Sequence, residues 1–251
     1  MLHLLIHGGG SSARFWDRLG PLLDGEVLAV DLPGRNGKPA DLGTLTIDEE
    51  VASVLADVDA AGPGDDEPIV VVAHSSGGLV VPGVVAGLLA SGREVRHVVL
   101  NAALVPEEGG TGLDCMKAAH REGLLWAVDE AKKAGGPPIT LPGAPEDPEP
   151  FRQAYGGDPL SDDDLAYLTD PERTVPDTVH HYFQPVRWSE AAGVPVTYVL
   201  NERDRPVRPA DQELMLQRIP DLVEVVRFEC GHVPAVTDPG ALAAVIARAA
   251  S

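Results

Sequence analysis

The sequence predicts an α/β fold: about six mostly parallel strands flanked by helices, with a helical segment inserted late in the chain. Three observations carry this. Short apolar, β-branched runs recur along the chain, continuous rather than alternating, as expected for strands covered on both faces. Stretches with helical spacing lie between them, the alternation expected of a parallel sheet with helices on both sides. From Ala102 to about Glu190 that rhythm stops, and no convincing strand is found.

The expected strands are Leu2–Ile6, Val27–Val30, Ile69–Ala73, His97–Leu100, Val196–Leu200 and Val223–Phe228. The first helix, Ile47–Ala61, follows Thr46, a natural N-cap. Further helices are expected over Gly77–Ala90, over Leu214–Ile219 and in the closing "DPGALAAVIARAA". The irregular region carries helical patches at Met116–Lys133 and Asp162–Leu168, broken by "GGPPITLPGAPEDPEP". A structureless loop of that length is out of place in a compact domain, so residues 102–190 are expected to form a cap inserted into a core of residues 1–101 and 191–251. The cap region holds Trp126, Phe151, Tyr155, Tyr167, Tyr182, Phe183 and Trp188 of the chain's eleven aromatic residues, a composition suited to the roof of an apolar pocket.

Composition narrows the function classes. With 19 Lys and Arg against 39 Asp and Glu, the formal net charge is −20. That speaks against nucleic acid or an anionic membrane surface as partner, since both demand a basic patch. Cys115 and Cys230 are too few for a disulfide scaffold and wrongly spaced for a zinc site. The opening "MLHLLIH" lacks the basic start and the apolar length of a signal peptide, so a soluble, cytoplasmic protein is expected.

"IHGGGSSARFW" has two readings. Gly8, Gly10 and Ala13 fit a dinucleotide fingerprint, with Asp31 placed to hold a ribose. Alternatively the bare backbone N–H groups of the glycines serve a developing oxyanion. The second is favoured: Asp31 runs into the turn "LPGRNG" rather than a helix, and no tyrosine has a lysine four residues later.

"AHSSG", residues 73–77, follows a strand and precedes a helix. It matches the nucleophile elbow G-x-S-x-G with alanine at the first glycine. The strained turn requires very small residues two positions either side of the serine. Ala73 and Gly77 meet this for Ser75, whereas Ser76 would be flanked by His74. The competing reading is that both serines merely cap the helix. A serine nucleophile calls for a base and an acid to orient it, in chain order Ser, Asp, His. Asp204 lies in the loop after the next-to-last strand and His232 in the loop after the last, at the sheet edge where the elbow also lies. Glu202 is the other candidate acid; Asp211 reads as a first-turn residue. His7, His74, His120, His180 and His181 are alternative bases, each more simply structural, and Cys230 reads as a packed small residue.

"HGGG", "DLPGRNG", "AHSSGG", "RDRPVRP" and "GHVP" together resemble the α/β-hydrolase superfamily over essentially the whole chain. The early first strand and the cap between the strands at Leu100 and Val196 are similar to small plant-type esterases and hydroxynitrile lyases. The resemblance implies Ser75 as nucleophile, His232 as base, Asp204 as orienting acid, and backbone N–H groups of Gly9 and Ser76 as oxyanion donors. It implies acyl transfer on a small ester, lactone or thioester, with no metal or organic cofactor. Gly10, His74, Trp126, Tyr155 and Tyr182 are the expected pocket wall. Serine at the elbow departs from the epoxide hydrolases, which carry a carboxylate there, and Val233 replaces the lysine that plant-type hydroxynitrile lyases place after the histidine. A thioesterase or carbon–carbon bond hydrolase would use the same triad, and a ligand-binding protein could share the fold.

Overall fold

The computed structural model describes every residue except Pro63, Asp65, Asp66 and Ser251. Strands β1 (Leu2–Ile6), β2 (Glu26–Val30), β3 (Ile69–His74), β4 (Val95–Asn101), β7 (Val196–Asn201) and β8 (Leu222–Phe228) form one sheet. Its order is β2-β1-β3-β4-β7-β8, and every pairing is parallel. Two further strands of two residues each, β5 (Thr140–Leu141) and β6 (Asp177–Thr178), pair antiparallel. They lie in the region expected to be free of strands; at this length no sequence period exists to reveal them.

The continuous apolar runs are explained by burial on both faces. Alternate residues of the central strands feed two cores. Leu4, Ile6, Val71, Ala73, Val98 and Leu100 join α1 (Ile47–Ala61) and α2 (Val81–Ala90) on one side. Leu5, Val70, Val72, Val99 and Val199 join Phe15, Trp16 and the C-terminal helix α7 (Pro239–Ala249) on the other. Each buried Val, Leu, Ile or Phe among them stabilises the fold by about 1.5–3 kcal/mol. The edge strands differ from expectation, because β2 and β8 each expose residues, Val223 at 63% among them.

Helix α1 starts in a full capping box, with the Thr46 side chain accepting from Glu49 N–H and the Glu49 carboxylate accepting from Thr46 N–H. Two glycines let α2 lie close to α1: a Cβ on Gly87 would stand 2.4 Å from Leu55 Cδ1. Helix boundaries depart from the sequence reading at two places. The helix expected from Gly77 begins at Val81, behind a tight 3-10 turn at Ser75–Leu79. That expected over Leu214–Ile219 is α5, Pro209–Leu216, since proline is tolerated in a first turn. The closing helix falls where expected, as α7, with Asp238 capping it by accepting from Ala241 N–H, and a short α6 (Pro234–Thr237) precedes it.

The segment between β4 and β7 includes α3 (Ala118–Lys133) and α4 (Asp162–Leu168). It has no separate core: Cys115, Val179, Tyr182 and Trp188 pack into the first cluster, and Leu160, Leu165 and Leu168 into the second. Among the described residues no helix is long and apolar enough to cross a membrane.

Strand order reverses direction between β1 and β3, the chain leaving β1 for one edge and β3 for the other. In open parallel sheets, ligand crevices form beyond the carboxyl ends of the strands at such a point. Gly8–Gly10 follow β1 and Ser75 follows β3, so both stand there.

Candidate active site

Ser75 opens the turn after β3 with φ +52°, one of three non-glycine residues with positive φ among those described. An L-residue holds that conformation only where its surroundings over-determine it. The surroundings are backbone at close range. A Cβ on Gly77 would sit 2.6 Å from the His7 carbonyl oxygen and one on Gly8 2.8 Å from Ser75 Cβ. The end of β1 therefore presses directly on the turn, and the glycines are what allow it.

His232 and Asp204 arrive from the loops after β8 and β7. His232 Nδ1 donates to Asp204 Oδ2 at 2.6 Å, and Asp204 Oδ1 accepts from Val207 N–H at 2.8 Å. Both side chains are almost wholly withdrawn from solvent. The rings of His74 and His232 lie 4.5 Å apart between centroids, and His74 Nε2 donates to the His232 carbonyl at 2.9 Å. The residue preceding Ser75 thus ties down the backbone of the histidine. Ser75 and His232 line one cavity of about 210 Å³, together with Gly9, Phe15, Leu141, Leu168, Arg173 and others.

Four of the five alternative histidines are committed elsewhere. His7 donates from Nδ1 to the Gly8 carbonyl and accepts at Nε2 from Leu32 N–H, and burial followed by the Arg35 charge pushes it down to about 3. Burial and then neighbouring His232 hold His74 well below the imidazole range. Burial opposes charge on His181 as well, but the Glu50 carboxylate, 3.2 Å away, outweighs it and the net shift is upward. His120 is exposed, and His180 Nδ1 bonds to the Leu45 carbonyl. Glu202, the alternative acid, is half exposed and pairs with Arg227. Asp211 pairs with Arg208. Burial pushes the Cys230 thiol up to about 12.

Of the expected pocket wall, His74, Tyr155 and Tyr182 line the cavity and two residues do not. Trp126 is 67% exposed on α3, whose residues are none of them fully buried, because its place in the helix faces water rather than the sheet. Gly10 is turned from the cavity, its N–H donating to Asp177 Oδ2 at 2.8 Å. Gly9 and Ser76 are neighbours: a Cβ on Gly9 would lie 3.1 Å from Ser76 Oγ and 2.9 Å from the Tyr182 hydroxyl.

Two features escape a sequence reading. Ser11, Arg173 and Thr174 also line the cavity, beside Tyr167 of the cap aromatics. The run "YGG" at 155–157 braces the loops that carry Asp204 and His232: the Tyr155 carbonyl accepts from His232 N–H at 2.8 Å, and Gly157 N–H donates to the Arg203 carbonyl at 3.0 Å. Both glycines have positive φ, and a Cβ on Gly156 would stand 2.0 Å from Arg203 O. The adjacent glycines are the one local signal of this brace.

A model of the Alpha/beta hydrolase family matches residues 4–245, nearly the whole chain. The chain belongs to the Alpha/beta hydrolase family. No curated protein matches it in sequence. Among solved structures, it is similar to an extracellular alpha/beta-hydrolase from a Paenibacillus species, itself described as homologous to tobacco salicylic acid binding protein 2. That likeness has TM-score 0.78 and 17% identity and covers 99% of this chain and 98% of the other. A pyrethroid hydrolase from Sphingobium faniae JZ-2 has TM-score 0.74 and 21% identity over 100% and 98% of the two chains. The methylesterase MES16 from Arabidopsis has 0.71 and 20% over 100% and 98%. At these identities the likeness shows a shared fold, the one the sequence motifs imply.

Proposed function

We propose that this chain is a serine hydrolase that cleaves small apolar or aromatic carboxylic esters or lactones by acyl transfer. The observation that carries the reading is a serine at positive φ sharing one cavity with a histidine whose Nδ1 is held by a buried aspartate. With Nδ1–H donated to Asp204, neutral His232 keeps Nε2 as the acceptor, the form a general base needs. His232 takes the Ser75 proton as the hydroxyl attacks the carbonyl carbon. The oxyanion is received by the N–H groups of Gly9 and Ser76; Ser76 stands in the first turn of a helix, where N–H groups lack helical partners. His232 then protonates the leaving alkoxide, and water releases the acyl group by the reverse sequence.

Asp204 stabilises the imidazolium formed in both steps. Residues 102–190 serve as the cap, contributing Leu141, Tyr155, Tyr167, Leu168 and Tyr182 to the cavity wall. At about 210 Å³ the cavity is smaller than the roughly 300 Å³ at which drug-sized pockets begin, which favours short acyl groups. The ester-cleaving neighbours of this fold accord with the reading.

A panel of p-nitrophenyl esters, lactones and thioesters graded by acyl size tests it. Turnover is expected for small oxygen esters and lactones and lost in Ser75→Ala. Wild-type rates equal to those of Ser75→Ala across the panel would end the proposal.

A further inference from the structure

Beneath the glycine loop lies an ion pair closed off from solvent on both sides: Arg35 Nη2 stands 2.6 Å from Asp177 Oδ1, and neither side chain is exposed. Arg35 comes from the "DLPGRNG" turn after β2, Asp177 from β6 in the inserted segment. A buried pair of this kind is costly to desolvate, and a well-packed apolar pair often serves stability as well. Its hydrogen bonds point to another purpose.

Every further bond of the pair fixes backbone. Asp177 Oδ2 accepts from Gly10 N–H at 2.8 Å, and Oδ1 accepts from Thr178 N–H at 2.7 Å. Arg35 Nε donates to the Ser11 carbonyl and Nη1 to the Pro33 carbonyl, both at 2.8 Å. The same stretch of the insertion grips the loop through its main chain, Val175 N–H donating to the Gly10 carbonyl at 2.9 Å. The residues flanking Gly9 on its C-terminal side are therefore held by one carboxylate and one guanidinium. A Cβ on Gly9 would lie 3.6 Å from Asp177 Oδ2, so the carboxylate abuts that residue too.

We infer that Asp177, oriented by Arg35, is a positioning residue that sets the Gly9 N–H for the oxyanion and makes oxyanion stabilisation depend on the docked insertion. This rests on the serine-hydrolase reading. Asp177 touches no reacting atom; it acts through the loop. A carboxylate that accepts from Gly10 N–H on one oxygen, and on the other accepts from Thr178 N–H while facing the Arg35 guanidinium, has no isosteric substitute. In Asp177→Asn the amide nitrogen faces a donor whichever way it turns. A donor misplaced by as little as an ångström reduces turnover steeply, on the order of 100-fold.

The test begins with fluorophosphonate labelling of wild-type Ser75. Failure to label overturns the hydrolase reading and this inference with it; labelling isolates the inference. In Asp177→Asn, kcat is expected to fall about 100-fold with KM within about threefold, the signature of an interaction made only in the transition state. The affinity of a trifluoromethyl ketone, which forms a tetrahedral adduct with the serine, should fall in step with kcat/KM. Affinity for the product carboxylate should not change. If Asp177→Asn does not fold, Arg35→Lys is read on the same quantities, since one ammonium replaces two donors fixed on backbone carbonyls and the guanidinium face that meets Asp177. A kcat within about threefold of wild type, or a raised KM with kcat intact, would reduce the pair to glue for the insertion and overturn the inference.

Discussion

Asp204→Asn isolates the contribution of a single proton position. Asp204 Oδ1 accepts from Val207 N–H, which is fixed backbone, so the asparagine carbonyl oxygen must stay on that side. Its NH2 group then faces His232 Nδ1 at the place where the carboxylate accepted at 2.6 Å. Two donors cannot share that contact, so the imidazole proton moves to Nε2. The nitrogen facing the cavity becomes a donor and no longer takes the serine proton. A wrong tautomer of this kind lowers kcat by about 10⁴ in a triad, or about 5 kcal/mol of transition-state stabilisation. The shape of the residue is unchanged, so folded stability should fall only by the loss of one charge-assisted hydrogen bond, about 1.5–3 kcal/mol. Steady-state kinetics on a p-nitrophenyl ester, with thermal unfolding alongside, reads both quantities. Glu202→Gln, which disturbs only a half-exposed pair with Arg227, is the control and should keep full activity. A kcat loss below about tenfold in folded Asp204→Asn would refute the assignment of Asp204.

Three further outcomes follow from the same geometry. His7 is held at about 3 against an ordinary 6.5, so the stability it confers is complete above pH 6.5 and declines as pH falls toward 3. The slope is about 1.4 kcal/mol per pH unit below pH 6.5, and the pH dependence of stability in urea for His7→Gln between pH 6 and 4 should be shallower by about that amount; equal slopes would contradict it. Gly77→Ala places a methyl 2.6 Å from the His7 carbonyl and should destabilise by at least about 1–3 kcal/mol while displacing Ser75. An unchanged melting temperature would mean the turn is looser than described. Trp126→Ala removes an exposed ring, so stability should hold within about 0.5 kcal/mol with kcat/KM intact; a tenfold loss would return Trp126 to the pocket.

How far the molecule was legible in the sequence depended on the range of each interaction. The central strands announced themselves because burial on both faces leaves continuous apolar runs such as Ile69–Ala73. The elbow was legible because its steric demand falls on residues two positions away, Ala73 and Gly77. The pairing of Asp204 with His232 was legible through chain order, a topological rule that needs no contact map. The ion pair of Arg35 and Asp177 was not legible, since neither "GRNG" nor "PDTV" carries a local mark of a partner so remote in the chain. Trp126 misled for the converse reason: aromatic content says that a segment packs somewhere, not which side chain faces inward. Helix α5 begins before the expected Leu214, because Pro209 is tolerated in a helix's first turn.

The central claim is that Ser75 becomes covalently acylated. Rapid acid quench during turnover of a slow ester, followed by peptide mass mapping, tests it directly. The expected result is the acyl mass on the peptide carrying Ser75, absent in Ser75→Ala and scarcely formed in His232→Ala. An acyl group found on Ser76 or Cys230 instead, or turnover proceeding with Ser75 replaced, would contradict the account.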